Sequence, residues 1–596
     1  MQKLKNYIKS VKFSLSFAFN FIFKYTLIIS SLVIVRAILP YASSFYLGKL
    51  VNNIVSITKT QTNFGGIWWT LFLYALITSI PSLLGNIQLY VRRLASTILN
   101  MEVELSVLKS REAIDISNYE NPKFQDINQR AFRNGLGPIY NTISGQYDTL
   151  YSITSLIVGT AIAAHFNFTI YLIIILSAVP GFIVDMKFAA RSWGIWAKDS
   201  PEQRRYGDLR QHIASKTYLI ETKLLQSGKR ILDWMREILT QFNHKQIAQE
   251  KNKLFQTTTT DILSSLGLFV GLFLLVKQVL GGTLAVGSLV YMIGTLFNVR
   301  SAISGFLVNI SNQYEDSLIV NDVMEIVNTP KLIMETKNPI TLDLSSAPEI
   351  VFENVSFKYH STDKYSLKNV SMTLKAGNNF GLVGNNGAGK TTFVKLLCRI
   401  YDPTEGKILI NGVDLKDVSI KEWWSYLAVM FQDYASYDFK VKEAIGISRP
   451  DKSPNLAKVM EVAHTSQSHT FIEEWKDKYD QQLGVEFGGK EPSKGQRQKL
   501  SIAKILYRDG LVMILDEPTA SVDAESEAKI FDSIENLPKD RTAILISHDF
   551  STISECDRIF VLDKGSLIEE GNHKDLMKNK GMYSELYNLQ AKRFKK

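Results

Sequence analysis

Hydrophobic residues in the first half of the chain come in long unbroken runs. Six such stretches cover 25–47, 67–91, 143–166, 169–184, 262–279 and 284–310. Most exceed the ~20 residues that a helix needs to cross the hydrocarbon core of a bilayer. A buried soluble helix accounts for any one of them, but six in one half predict an α-helical, six-span transmembrane domain. The fourth is short, and its helix is expected to continue into the polar sequence that follows. Beyond about residue 329 the pattern changes. A polar segment with Pro330, Pro339 and Pro348 reads as a linker. After it, EIVFENVSFKY and SLKNVSMTLKAG alternate apolar and polar positions, as half-buried strands do. The expected division is a membrane domain over 1–320, a linker over 321–347 and a second domain over 348–596.

Charge orients the first half. The chain carries a formal net charge of +10 over 596 residues, which suits a nucleic acid, a membrane surface or an anionic nucleotide. The connections after the second and fourth stretches are long and basic, with Arg92, Arg93, Arg111, Arg204, Arg205, Lys229 and Arg230. Of the other three connections, one carries Lys49 and Lys59, one is uncharged, and Lys277 borders the third. The positive-inside rule then puts the long loops, the N-terminus and the C-terminal half in the cytosol of a multi-pass cell-membrane protein. Much of the basic charge is thus topological, and no nucleic-acid partner is expected. The start, MQKLKNYIKSVKF, reads as an amphipathic lead-in to the first span. Each long loop reads as helical continuation with a break, at NYENPKFQD in the first, where Pro122 interrupts, and around 208–224 in the second. Such breaks suit either a short cross-helix or a solvated hairpin. Two cysteines, Cys398 and Cys556, suggest neither a disulfide framework nor a metal cluster.

The second half carries the chemistry. GNNGAGKTT follows the apolar strand NNFGLV and precedes the helical run FVKLLCRI, the context that a phosphate-binding loop requires. The backbone of Gly384, Asn385, Asn386, Gly387, Ala388 and Gly389 can wrap phosphates, and the helix starting there adds a favourable dipole. Lys390 can reach the β- and γ-phosphates, Thr391 can ligate Mg2+, and Thr392 completes the motif. In LVMILDEPTA an apolar strand ends in Asp516, able to hold Mg2+, and in Glu517, placed to polarise an attacking water.

On these motifs the chain resembles an ABC transporter half, one membrane domain fused ahead of one nucleotide-binding domain, over essentially its whole length. The resemblance implies an α/β P-loop ATPase domain with a helical subdomain, using ATP and Mg2+. It implies roles as well: Tyr359 in FKY stacks on adenine, and Gln432 in VMFQD senses Mg2+ and the γ-phosphate. His548 in LISHD contacts the γ-phosphate, and Asp523 in ASVD lies in the loop that communicates between sites. In this family two nucleotide domains sandwich two ATPs, each between the P-loop of one and the LSGGQ signature of the other. A chain with one such domain therefore needs a second half-transporter, and the loop tips are expected to form short helices that dock on the nucleotide domains.

The span arrangement resembles the exporter type, and NYENPKFQD is similar to a stretch in bacterial lantibiotic and related peptide exporters. The expected substrate is a peptide or amphipathic compound moved out of the cytosol. Some transporters of this fold import siderophores, so fold alone leaves direction open. No cysteine peptidase is expected ahead of the membrane domain. Arg36, Asp148 and Arg300 are costly in lipid and are expected within one or two helical turns of one another in depth. Either Asp148 and one arginine form a structural ion pair, or an arginine left over meets an anionic group on the substrate.

In the signature, EPSKGQ stands against LSGGQ. Ser493, Gly495 and Gln496 match, Pro492 replaces the leucine and Lys494 the first glycine. That loop serves the partner's ATP, whereas this chain's own Lys390, Asp516, Glu517 and His548 are intact. In asymmetric members of the family an intact glutamate commonly accompanies an altered signature, so a heterodimer is favoured over a homodimer. A largely regulatory subunit of such a heterodimer, with one weakened ATP site, is the alternative.

Overall fold

The computed structural model describes the chain except for residues 1, 61–64, 133–134, 167, 199, 360–361, 520, 536–537, 548 and 595–596. The chain divides into two compact units, Met1–Ile114 with Pro122–Pro330, and Asp115–Asn121 with Lys331–Lys596.

The helices of the first half are α1 (Gln2–Phe21), α2 (Phe23–Thr60), α3 (Gly65–Glu112), α4 (Ile116–Tyr119), α5 (Pro122–Phe132), α6 (Gly137–Phe166), α7 (Phe168–Lys198), α8 (Ser200–Ala214), α9 (Lys216–Leu224), α10 (Gly228–Leu280) and α11 (Val286–Val327). All but α4 belong to the first unit. The six apolar stretches fall in α2, α3, α6, α7, α10 and α11, and α7 extends past its stretch as expected. Among the described residues, four segments are long and apolar enough to cross a membrane: Phe23–Thr58, Gly66–Glu112, Gly228–Leu280 and Val286–Val327. Phe168–Gly181 is a shorter apolar helix, and α6 carries Asn141, Thr142, Ser144, Gln146 and Asp148 in its first half. Among the described residues, length and hydropathy alone therefore support four spans and leave the count of six unconfirmed.

The basic connections are helical with breaks. α3 runs on to Glu112, the chain turns through Asp115–Asn121, and Pro122 opens α5, where its missing N–H is not needed. Ser215 separates α8 from α9. Inside the first unit, Arg130 of α5 grips Asp322 of α11 in a bidentate pair, at 2.9 and 3.1 Å. Gln313, buried on α11, donates to Thr149 Oγ1 at 2.8 Å and accepts from Tyr7 and Gln146, joining α1, α6 and α11.

The second unit holds two sheets. The strands are β1 (Ile350–Phe357), β2 (Leu367–Leu374), β3 (Asn379–Gly384), β4 (Glu405–Ile410), β5 (Val413–Asp414), β6 (Leu427–Met430), β7 (Val512–Asp516), β8 (Thr542–Ile546), β9 (Arg558–Asp563) and β10 (Ser566–Gly571). β2-β1-β4-β5 form an antiparallel sheet, and the second sheet runs β10-β9-β3-β8-β7-β6, parallel except where β10 meets β9. The patterns follow from the residues. β2 alternates buried and exposed positions over most of its length, as a strand with one wet face does, whereas VMILD and TAILI are buried throughout, as central parallel strands covered on both faces must be. The helices used below are α12 (Lys390–Leu397), α13 (Ile420–Tyr426), α14 (Val441–Gly446), α15 (Leu456–Thr465), α16 (His469–Glu473) and α17 (Lys494–Arg508). α14 to α17 share a separate apolar cluster that includes Val441, Val459, Phe471, Trp475 and Leu500, a helical subdomain. Cys398 and Cys556 are free and buried, and burial pushes both thiols up to about 12.

Asp509, in the left-handed position after α17, joins this subdomain to the sheet core. It takes Lys458 at 2.7 Å, Arg449 at 3.2 Å and Arg541, which precedes β8. Burial pushes its carboxyl up, but the hydrogen bonds from Lys458 and Arg541 outweigh that and hold it below the usual range. A carboxyl so depressed adds stability above its unfolded pKa, and that stability is lost as pH falls through the folded value. Asp509→Asn is therefore expected to lower the unfolding free energy by about 1–3 kcal/mol at neutral pH, with a smaller difference in acid. Denaturant titrations of the detergent-solubilised chain at two pH values check this.

Candidate functional site

The site forms at the carboxyl ends of β3, β6 and β7, where parallel strands of an open α/β sheet leave a crevice. β3 ends at Gly384, and the loop closes at Gly389, in a left-handed conformation at φ 107°. A Cβ on Gly389 would lie 2.6 Å from Leu367 Cδ2 and 2.7 Å from Ser366 O, so only glycine fits there. Ala388 N donates to Asn385 O at 3.1 Å, which keeps the loop tight before Lys390 starts α12. The Lys390 ammonium folds back over this loop, donating to Gly384 O at 2.8 Å and Asn385 O at 3.3 Å. Burial lowers its pKa, while Glu517 and Asp516 act against that.

Across from the loop, Asp516 closes the buried strand β7 and is 3% exposed. Its Oδ2 is buried and has no hydrogen-bond partner. Burial, then the neighbouring Glu517 charge, raises its carboxyl to about 6, with Lys390 and Thr391 pulling the other way. Glu517 adopts a left-handed conformation at φ 51°. Its N–H donates to Ile546 O at 2.8 Å, and its Oε2 accepts from Gln432 Nε2 at 2.9 Å. Strand ends thus bring Lys390, Thr391, Asp516, Glu517 and Gln432 together. An orphaned carboxylate oxygen beside the Thr391 hydroxyl is the hard oxygen set that a magnesium ion takes, and the loop amides with Lys390 suit a triphosphate. These residues fit a magnesium nucleotide.

Tyr359 lies beside α12, its hydroxyl 3.1 Å from Thr392 Oγ1 and its ring edge-on to Phe357 and Tyr401. Lys395, one turn into α12, lies 5.3 Å from the centroid of that ring and pairs with Glu120 at 3.1 Å. Glu120 belongs to the 115–121 segment, and Asp115 of the same segment accepts from Ile333 N at 3.1 Å. A one-turn helix, α4, lies just ahead of the expected position: it spans Ile116–Tyr119 and overlaps NYENPKFQD only at Asn118 and Tyr119, while Pro122 onward belongs to α5.

The signature residues form a separate group. Ser493 caps α17, accepting from Gln496 N at 3.2 Å, while its own N–H donates to Gln496 Oε1 at 2.9 Å. A Cβ on Gly495 would meet Ser521 O at 2.6 Å. Lys494 is exposed, and its side chain makes no hydrogen bond or ion pair with a described residue. Asp523 accepts from Ser526 N and pairs with Lys499 at 2.9 Å. The hydrogen bond from Ser526 and then Lys499 hold its carboxyl well below the usual range. His548 lies outside the described residues.

Sequence reasoning missed Gln498. Buried on α17 at 3% exposure, it donates to Glu517 O at 3.3 Å and accepts from Ser521 N at 2.9 Å. It also missed Arg497, which holds Asp438 and Glu491 beside the signature at 2.9 and 2.7 Å. Nothing in GQRQK distinguishes these side chains from ordinary helical polar residues.

Residues 367–520, which include the phosphate loop, the signature and Asp516–Glu517, match the ABC transporter family. The subtilin transport ATP-binding protein SpaT of Bacillus subtilis is 26% identical over 93% of this chain and 89% of its own length. The leukotoxin export ATP-binding protein LtxB of Aggregatibacter actinomycetemcomitans is 26% identical over 87% of this chain and 72% of its own. A solved bacterial Atm1-family ABC exporter with ATP bound has the same fold, with a TM-score of 0.80 and 21% identity over 94% of this chain and 98% of that one.

Proposed function

From an ABC transporter ATPase domain fused to a multi-pass membrane domain, we propose one half of a dimeric exporter that hydrolyses ATP to move a peptide or amphipathic compound out of the cytosol. The observation that carries this reading is the cluster of Lys390, Thr391, Asp516, Glu517 and Gln432, one helical turn from the Lys395–Glu120 contact. Six helices cross the cell membrane, and the N-terminus and nucleotide domain face the cytosol. In this assignment the amides of 384–391 and Lys390 hold the phosphates, and Tyr359 stands beside the base. Thr391, Asp516 and Gln432 hold magnesium, and Glu517 takes a proton from the attacking water. A bound magnesium ion neutralises phosphate charge and favours ionised Asp516. Relatives named for subtilin transport and leukotoxin export support a peptide cargo. ATP-dependent accumulation of a labelled amphipathic peptide in inside-out vesicles tests the reading, and uptake into right-side-out vesicles would favour the importer instead.

Lys494 favours an unlike partner. At the signature it sets a bulky cation where a small residue permits close backbone approach to the opposite nucleotide. Purified alone, the chain is expected to turn ATP over slowly, and Lys494→Gly to raise the rate roughly tenfold, as restoring a preorganised charge-stabilising contact can. Phosphate release by the detergent-solubilised chain checks this. A brisk homodimer indifferent to Lys494→Gly overturns the heterodimer.

A further inference from the structure

Among the described residues, one positive charge in the membrane unit has no carboxylate partner. Arg36 lies mid-run in the apolar stretch 25–47 of α2, where an unpaired charge is costly. Asp148 does not serve it: Asp148 pairs with Arg92 of α3 at 2.6 Å, and Arg92 also lies 5.4 Å from the Tyr147 ring centroid. Arg36 instead donates through Nη1 to Gln88 Oε1, a neutral acceptor that is 4% exposed, and its Nε is buried without a partner. Gly85, Gln88 and Arg92 share one face of α3 at helical spacing. On that face, a Cβ at Gly85 would sit 3.3 Å from Arg36 Nη2, so the guanidinium fills the room that the glycine leaves. Arg36 on α2 and the Arg92–Asp148 pair between α3 and α6 are thus separate contacts, and among the described residues no carboxylate pairs with Arg36. Arg300 is elsewhere, donating to Ser265 Oγ between α11 and α10 at 3.0 Å.

We propose that Arg36, steadied by Gln88, binds an anionic group, a carboxylate or phosphate, on the transported molecule. A planar guanidinium with an unused Nε is suited to bidentate capture of such a group. The inference rests on the export reading for the identity of the ligand, and its test reads binding apart from turnover.

The assembled transporter, in dodecyl maltoside without added lipid, is titrated with N-octanoyl-glycine and its uncharged ethyl ester, with tryptophan fluorescence as the readout. The carboxylate is expected to bind about tenfold more tightly than the ester, the factor that one charge-assisted contact of about 1.4 kcal/mol supplies. Arg36→Gln is expected to erase that difference, Arg36→Lys to keep part of it and Arg300→Gln to keep it whole. No discrimination in the wild type, or discrimination that survives Arg36→Gln, overturns the proposal. Its abolition by added phosphatidylglycerol identifies a resident lipid and overturns the transported ligand. Dissociation of the assembly by Arg36→Gln assigns the charge to a carboxylate of the partner and does the same. ATP turnover is measured on the same samples. Its absence counts against the ATPase reading and leaves the binding comparison intact.

Discussion

Glu517→Gln is expected to lower this chain's contribution to ATP turnover by about 10²–10⁴-fold, the range that a positioned general base supplies. Nucleotide binding is expected to stay nearly unchanged. The substitution is close to isosteric, and the backbone at 517 is fixed independently of the carboxylate. Its N–H donates to Ile546 O and its carbonyl accepts from Gln498. The lost property is proton acceptance, because an amide in the same place can still bond Gln432 but cannot take a proton from water. Phosphate release and equilibrium dialysis against ATP, on the same preparation, separate the two effects. With an unlike partner, residual turnover comes from the site built on the partner's P-loop. A variant that keeps the wild-type rate in both sites overturns Glu517 as the base.

Gly389→Val is expected to abolish nucleotide binding, by at least about 100-fold, in a chain that still folds. A side chain at φ 107° is strained, and its Cβ would press within 2.7 Å of Leu367 Cδ2 and Ser366 O. Left-handed strain of about 1–2 kcal/mol and overpacking of about 1–3 kcal/mol together exceed the 1.4 kcal/mol of a tenfold change. Relief comes by moving the loop, which carries Lys390 out of register with Asp516. Gly387→Ala is the control, since it has a positive φ of 77° but nothing within 4 Å of the added Cβ. It is expected to weaken binding by roughly fivefold, in keeping with about 1 kcal/mol of strain alone. Fluorescent-nucleotide titration reads the contrast.

The nucleotide cluster was legible because its chemistry is local. A strand, a glycine loop and a helix start fall within one run of sequence, and a second apolar strand ends in two carboxylates. The membrane half was legible as helices but less so as spans, because apolar runs announce helices while polar turns, as in α6, blur where lipid begins. Arg92 shows the limit. Read as a loop charge marking the cytosolic side, it lies inside α3 and takes Asp148, the carboxylate expected to pair with Arg36 or Arg300. Pairing across helices depends on which faces meet, and spacing along one helix does not carry that. The same holds for Lys395 with Glu120, and for Gln498, whose partners lie 19 and 23 positions away.

Gln498 has a further consequence. In the dimer proposed above, its helix would present its N-terminus, with Ser493 and Lys494, to the other subunit's nucleotide, while its amide is tied to the carbonyl of this chain's own Glu517 and to the Ser521 N–H. These two hydrogen bonds, about 1 kcal/mol each, make tilting α17 and shifting Glu517 one motion. In that proposed dimer, an event at the far active centre would reach the near one through this buried side chain, and the expected outcome is that the pair fire in turn rather than keep independent clocks.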